Sequence, residues 1–347
     1  VKERIKYWDI AKAIGIICVC IGHSGMPSYI LTFIMMFHMP LFYFISGALY
    51  KDYYSLHPWI RLKKSFLSYY MPFLLFDLTY LLFHNVFAML HLVDETNGEG
   101  FYSLSEYGQH FLQVLLKGHR EYFSGALWFL VAIFLITVGF AFGNYIIYKV
   151  KLDRYRIPII VFISSFCFII SKIEQIPKPM IIRRSMGGVF FFVLGYLFQR
   201  YDWNKNLLKH KKKTILAAIT ALCLISWLNE VSFFSYVYNN IIASTVGGIL
   251  GIGFVIIISQ NIVLQQCKLL NLIGKASLII MATHFLAFKP ISYLIMMIYK
   301  LPVETMAAYP VVEVKGIWWI VYTISGTLIP TICYYVFLKW KERKKYR

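Results

Sequence analysis

Charge is scarce in this chain, and acidic charge is scarcest. Only 15% of the 347 residues are charged, and 16 Asp and Glu stand against 35 Lys and Arg. A soluble domain carries about a quarter charged residues, so this composition leaves too little polar surface for a water-soluble body of the same length. Several catalytic motifs are also missing. There is no HExxH metal motif, no P-loop and no GxSxG elbow, which removes the commonest metalloprotease, nucleotide-hydrolase and serine-hydrolase readings. No internal repeat or long low-complexity linker is evident. The six cysteines (Cys18, Cys20, Cys167, Cys223, Cys267 and Cys333) lie in or beside apolar runs without metal-ligand spacing. They read as buried free thiols, and no metal is expected.

What the chain has instead is apolar length. Hydrophobic residues make up 59% and aromatic residues 18%, and the mean hydropathy is +0.63. Runs long enough to span a bilayer, about 17 to 25 residues each, recur throughout. The fold class is therefore an all-α polytopic membrane protein of about ten transmembrane helices. The expected spans are 8–25, 30–50, 66–90, 123–148, 157–171, 184–200, 213–229, 240–264, 272–289 and 317–338, the fifth, seventh and ninth being short. Residues 1–347 are expected to form one membrane domain, with no soluble domain. No cleaved leader is expected, because the first apolar run is followed at once by others.

The net charge of +19 would suggest nucleic acid in a soluble protein. Here Lys and Arg cluster between apolar runs, where such clusters set topology and meet anionic lipid headgroups. Nucleic acid is not an expected partner; membrane lipids are. With the N-terminus inside, 25 Lys and Arg fall on the cytoplasmic side and nine outside, so both termini are expected in the cytoplasm. The acids lean outward, with Asp94, Glu95, Glu99, Glu106 and Glu121 in one outer loop.

Ionisable groups inside hydrocarbon are costly and call for a reason. At 100° per residue, Asp9, Lys12 and His23 share one stripe of the first helix, and Asp9 and Lys12 are i,i+3 neighbours that can pair. A plain structural reading is a salt bridge at the cytoplasmic end plus one hydrogen-bonded histidine. Depth favours more than that. At about 1.5 Å per residue, His23, His38 and His284 reach roughly 21, 18 and 16.5 Å from the cytoplasmic ends of the first, second and ninth helices. Pro40 should kink the second helix and free backbone groups near His38. A polar chamber with an active site explains this convergence. Histidine titrates near neutrality, so His23 could deprotonate an alcohol that attacks an acyl carbonyl, or carry the acyl group itself.

Other features divide between structure and function. Asp77 reads equally as structural or functional, and His84 and His91 as interfacial. Gly247, Gly248, Gly251 and Gly253 read as helix packing. The stretch Trp59–Lys64 is either a positive-inside anchor or, through Arg61, Lys63 and Lys64, a phosphate site for acyl-CoA. The run Lys209–Lys213 reads as topological. On the outer side Arg183 and Arg184 break the positive-inside trend and are expected to contact acceptor or acyl group. Trp128, at the start of the fourth helix, is a belt anchor or a sugar-stacking face.

These residues also carry a resemblance. Trp8-Asp9 with Lys12 and Gly15, Gly22-His23-Ser24, and Phe37-His38-Met39-Pro40 running to Ser46-Gly47 are similar to the membrane acyltransferase-3 superfamily, in its branch of fucose 4-O-acetylase-like proteins. Arg61–Lys64 with Pro72, Leu127-Trp128-Phe129, Phe191-Phe192 to Gly195-Tyr196, and Leu272 to Ser277 leading to His284 extend the likeness. The resemblance implies a ten-helix membrane enzyme, an O-acyltransferase that moves acetyl from cytoplasmic acetyl-CoA to a hydroxyl of an extracytoplasmic polysaccharide or lipid-linked glycan, such as a capsule, in a bacterial cell membrane. The family's basic-x10-His motif falls on Lys12 and His23. Members often have Arg where this chain has Lys12, which lacks the planar bidentate fork. Asp9, Lys12, His23, His38 and His284 are the expected catalytic set. Lys12, Ser46, Arg61, Lys63 and Lys64 are expected to hold acyl-CoA, and Trp128, Arg183 and Arg184 the acceptor. Lys12 and His23 lie about 16.5 Å apart along a helix, similar to a pantetheine arm. Relatives often carry an extra esterase-like domain; without one, transfer is expected to finish in the membrane. The rival readings are a proton-coupled glycan or lipid exporter, disfavoured by the lack of repeats, and a non-catalytic partner of a glycan synthase.

Overall fold

The computed structural model describes residues 5–94, 100–118, 121–173, 179–209, 211–228 and 241–345. Glu95 and Glu99 of the acidic loop, and His210 of the basic run, lie outside the described residues. Helix makes up 84% of the described residues, and no strand occurs among them. In chain order the main helices are α1 (Lys6–Gly22), α2 (Ser28–Met35), α3 (His38–Ala48), α4 (Pro58–Ser65), α5 (Met71–Leu82) and α6 (Trp128–Lys149). They continue with α7 (Arg156–Lys172), α8 (Met180–Arg200), α9 (Lys211–Leu228), α10 (Ile241–Ser259), α11 (Lys268–Tyr299) and α12 (Trp318–Lys345).

Helix occurs in every apolar segment expected from the sequence. Among the described residues seven stretches are long and apolar enough to cross a bilayer: Ser28–Ala48, Pro58–Leu82, Tyr122–Lys149, Asp153–Lys172, Met180–Arg200, Lys268–Tyr299 and Trp318–Lys344. Of the other expected spans, α1 is 17 residues long, α9 opens on three lysines, and α10 supplies the shorter apolar stretch Thr245–Ser259.

Several boundaries differ from expectation, and four of them have a clear local reason. The first helix stops at Gly22, and His23 is its C-cap rather than an interior residue; Gly25 follows at φ 75°, a conformation glycine adopts without steric cost. The second span is interrupted at Met36–Phe37, so His38 opens α3. Pro40 then sits in the first turn of α3, where its missing N–H costs nothing. The third span begins early, with Pro58 at the start of α4, and passes through a π-helical turn at Phe66–Tyr70. The ninth, expected to be short, is the 32-residue α11. Pro290 does not end it; the Ser325 hydroxyl of α12 donates to the Ala287 carbonyl beside the interruption. α11 ends where Lys300 turns left-handed at φ 49°, ahead of Pro302.

The chain packs as two compact units. The first comprises Val1–Leu31, Leu74–Leu127 and Ser259–Arg347. Its core is α1, α11 and α12, with Ile10, Ile16, Ile280, Phe288 and Tyr322 fully buried. Gly274 of α11 lies so near the Asp9 carbonyl of α1 that an added methyl group would overlap it. The second unit comprises Thr32–Phe73 and Trp128–Ile258. There α3 and α8 meet through paired glycines: a methyl on Gly47 would overlap the Phe192 carbonyl, and one on Gly195 the Phe44 carbonyl. Such small residues let helix backbones approach in a membrane. In α10, a Cβ on Gly247 would lie 2.7 Å from the Met36 sulfur and one on Gly251 2.4 Å from the Phe37 Cβ. These glycines therefore serve packing, as their apolar context suggested.

Candidate active site

The first unit holds the polar stripe of α1. Asp9 is 2% exposed, and Lys12 Nζ lies 2.8 Å from its Oδ1. The pair is the i,i+3 contact expected from spacing. Lys12 keeps 23% of its side chain exposed, so its ammonium neutralises a buried carboxylate and still reaches solvent. The Gly274 crossing fixes the backbone at this point.

At the other end of α1, His23 meets His284 of α11. Their ring centroids are 5.4 Å apart. Phe285 lies against both, at 4.8 Å from His23 and 4.1 Å from His284. His284 is fully buried. Its Nδ1 is 2.9 Å from the Ile280 carbonyl and 3.1 Å from that of Met281. A carbonyl only accepts, so Nδ1 carries the proton and Nε2 the lone pair. Nε2 has no hydrogen-bond partner among the described residues. A buried basic nitrogen, held by its own helix beside a second imidazole, can orient or polarise that imidazole.

The segment Val303–Val312 packs on α11 and on Phe285, the ring that lies against both histidines, within the same unit. Lys289 Nζ donates to the carbonyls of Met306 at 2.8 Å and Ala308 at 3.0 Å. The Tyr122 hydroxyl donates to the Ala307 carbonyl, and Val312 N–H donates to Tyr322. Tyr309 stacks on Phe285 with centroids 5.0 Å apart. Gly125 faces Tyr309, and a side chain there would strike its hydroxyl. Sequence reading missed Lys289, Tyr122 and Tyr309. Lys289 sits in an apolar run in the C-terminal half of a long helix, which was the available signal; nothing local marks the two tyrosines.

Also in this unit, Asp77 is buried and accepts the Glu121 N–H at 2.9 Å. His84, expected at the interface, is instead buried, with Nδ1 3.2 Å from Glu121 and Nε2 2.9 Å from the Gly100 carbonyl. His91 is exposed. His84 packs flat on Tyr102, 3.5 Å between centroids. The i-to-i+37 separation from Glu121 hid this pairing from any local pattern.

The remaining expected residues belong to the second unit. His38 is buried, and its Nδ1 lies 3.0 Å from the Ile34 carbonyl across the α2–α3 break. It too carries its proton on Nδ1 and its lone pair on Nε2. Ser46 donates to the Phe42 carbonyl at 2.9 Å, so its hydroxyl proton is used within α3. Arg61 is 7% exposed and lies over the rings of Tyr50 and Tyr54, at 5.6 and 5.2 Å. Lys63 is exposed, and Lys64 donates to the Tyr54 hydroxyl at 2.9 Å. Burial opposes ionisation of that phenol, but the Lys64 hydrogen bond and the charges of Lys64 and Arg61 together lower its pKa.

Trp128, Arg183 and Arg184 are brought together. They line one small cleft open to solvent. The Arg184 guanidinium lies 4.2 Å over the Trp128 ring, and Arg183 Nε donates to the Ser171 carbonyl at 2.8 Å. Sequence reading did not find the network at Asp52. Its carboxylate binds Arg156 at 2.7 Å, Arg200 at 2.9 Å and the Tyr196 hydroxyl at 2.7 Å.

Residues 5–338 match the family described as the acyltransferase domain. No curated protein and no solved structure matches the chain.

Proposed function

This chain belongs to the acyltransferase-3 family and is a multi-pass membrane acyltransferase, and we propose that it moves an acetyl group from cytoplasmic acetyl-CoA to a hydroxyl of an extracytoplasmic glycan. The setting is a bacterial cell membrane, with ten crossings and both termini inside. The glycan is a capsular or other surface polysaccharide, or its lipid-linked precursor. The observation that carries this reading is the His23–His284 pair, 5.4 Å between rings, at the opposite end of α1 from the Asp9–Lys12 ion pair.

The chemistry follows from those groups. His23 accepts the proton of the acceptor hydroxyl as its oxygen attacks the thioester carbonyl. The carbon–sulfur bond then breaks, and the proton held on His23 passes to the departing thiolate, giving the ester and free CoA. His284 acts through His23, its ring packed 5.4 Å from the partner ring and holding that ring in place. Lys12, paired with Asp9 but still reaching solvent, supports an anionic part of the donor from the other end of the helix. The basic segment Arg61, Lys63 and Lys64 offers charge for phosphates.

The test is His23→Ala in the native host, read by NMR of the surface polysaccharide and by thiol release from acetyl-CoA in membranes. A positioned base contributes about 10²–10⁴-fold, so both signals should fall to background with normal protein levels. O-acetyl groups at the wild-type level in an expressed variant would sink the assignment.

A further inference from the structure

Lys289 lies five residues beyond His284 on α11 and is 4% exposed. Its ammonium donates to the Met306 carbonyl at 2.8 Å and to the Ala308 carbonyl at 3.0 Å. The carbonyl between them, that of Ala307, takes the Tyr122 hydroxyl. Three consecutive carbonyls are thus held at the end of the short helical turn Val303–Ala307, where a helix leaves its acceptors without backbone partners. The same ammonium lies over the rings of Tyr122 and Phe123, at 5.5 and 5.6 Å, and Asp94 attracts its charge.

A plain structural role explains part of this, because the end of a helical turn favours a cation. It does not explain why a charge is brought into an apolar helix when Met or Leu fills similar space without desolvating an ion. What the ammonium adds is direction. It draws two carbonyls, two residues apart, to one point, and so sets the course on which the chain leaves the turn. The next residue on that course is Tyr309. Its ring lies 4.6 Å from Tyr122 and 5.0 Å from Phe285. Tyr309 and Phe285 close on the same glycine: a Cβ on Gly125 would strike the Tyr309 hydroxyl and stand 3.1 Å from Phe285 Cε2. Phe285 is 1% exposed and meets the His23 ring edge-on at 4.8 Å. Held between Tyr309 and Gly125, it has no room to swing away from the imidazole.

We propose that Lys289 is a positioning residue of the active site: by holding Met306–Ala308 it seats Tyr309 on Phe285, and Phe285 in turn fixes the His23 ring. As a statement about catalysis this rests on the acyl-transfer reading above; as a statement about the His23 ring it does not.

The experiment uses the full-length protein in membranes of the native host. Thiol release from acetyl-CoA gives kcat and KM. In separate samples without acetyl-CoA, diethyl pyrocarbonate labels accessible histidine, and mass spectrometry gives the labelling rate of each site. Half-buried His23 is the reporter, and buried His38, in the second unit, is the control for loss of fold. Lys289→Met and Tyr309→Leu should each lower kcat by roughly 10–10²-fold and leave KM for acetyl-CoA within about threefold, as expected for a displaced reacting group. In both variants His23 should label about threefold faster or more, with His38 as unreactive as in wild type. Tyr309→Leu keeps the ammonium and its carbonyls, so it decides alone if Lys289→Met does not accumulate. Wild-type kcat and wild-type His23 labelling in Tyr309→Leu overturn the inference. So does a rise in KM at unchanged kcat, which would make the segment part of the donor site. His38 labelling that rises together with His23 overturns it as well, since Lys289 would then hold the fold as a whole. Full thiol release from His23→Ala would instead end the acyl-transfer assignment, and the labelling result would still report on the His23 ring.

Discussion

Gly274 of α11 passes directly against the backbone carbonyl of Asp9 in α1, with no room for a side chain between them. The contact joins the two helices that carry His23 and His284. It also places a buried carboxylate, and with it the charge of Lys12, at the crossing. From that point His23 lies fourteen residues along one helix and His284 ten along the other. The histidine pair therefore sits on two helices whose close approach this glycine permits.

Gly274→Ala should separate α1 from α11. Overpacking a tight contact costs roughly 1–3 kcal/mol, and backbone on both sides leaves little to yield. The expected result is a lower thermal midpoint in detergent and reduced thiol release from acetyl-CoA. A variant as stable and active as wild type would show that the helices do not need this approach.

Glycines of the second unit allow a matched comparison. Gly47→Ala or Gly195→Ala should destabilise, since each would drive a methyl into a carbonyl of the opposing helix. Gly139, exposed in the interior of α6, meets nothing within 4 Å. Gly139→Ala should instead be neutral or stabilising by about 0.5–1 kcal/mol, through helix propensity. Unfolding midpoints of the three variants in one detergent decide the order.

Lys12→Ala removes one partner of the buried Asp9 carboxylate. Stranding one member of a buried pair costs about 3 kcal/mol, and the partial exposure of Lys12 places this case at the low end. Adding Asp9→Asn should recover most of the stability. If activity returns with it, Lys12 serves structure; if stability returns and activity does not, Lys12 serves the donor. The same double variant measures both.

For His284 the ring nitrogens are separable. Asn can retain the donation that Nδ1 makes to the Ile280 and Met281 carbonyls but offers nothing in place of Nε2. His284→Asn should therefore fold normally and lose roughly tenfold or more in kcat, with an altered pH–rate profile because His23 loses its neighbour. A change confined to KM would argue that His284 shapes the pocket rather than the base.

The Asp52 network makes stability depend on pH. Burial raises the Asp52 pKa, but hydrogen bonds from Tyr196 and Arg156 and the charges of Arg156 and Arg200 outweigh it, leaving the value below the ordinary 3.8. A folded pKa below the unfolded one gives stabilisation that is complete above about pH 4 and is lost as pH falls through the folded value. Asp52 is half exposed, so Asp52→Asn should cost only about 1 kcal/mol at pH 7. The gap between variant and wild-type midpoints should close as the pH is lowered below 4. A gap that stays constant with pH would mean the carboxylate charge does not matter.

Much of this molecule was legible along the chain. Apolar runs announced the helices, because a bilayer requires about twenty apolar residues per crossing. The Asp9–Lys12 pair followed from i,i+3 spacing, and the glycines of α10 from their apolar setting. The sequence was less informative where a helix stops. The α2–α3 break at Met36–Phe37 lies inside an apolar run, and the packing that seats it comes from glycines more than two hundred residues away. What only the tertiary structure decided was which distant groups share a place. It set His23 beside His284, His84 beside Glu121, Lys289 under the carbonyls of Met306 and Ala308, and Lys172 with Arg183 and Arg184 in one cleft. Periodicity fixes which face of a helix a residue occupies. It does not fix which other helix that face meets, since in a membrane that choice is made by close packing at small residues such as Gly274 and Gly47, and such contacts leave no local signature.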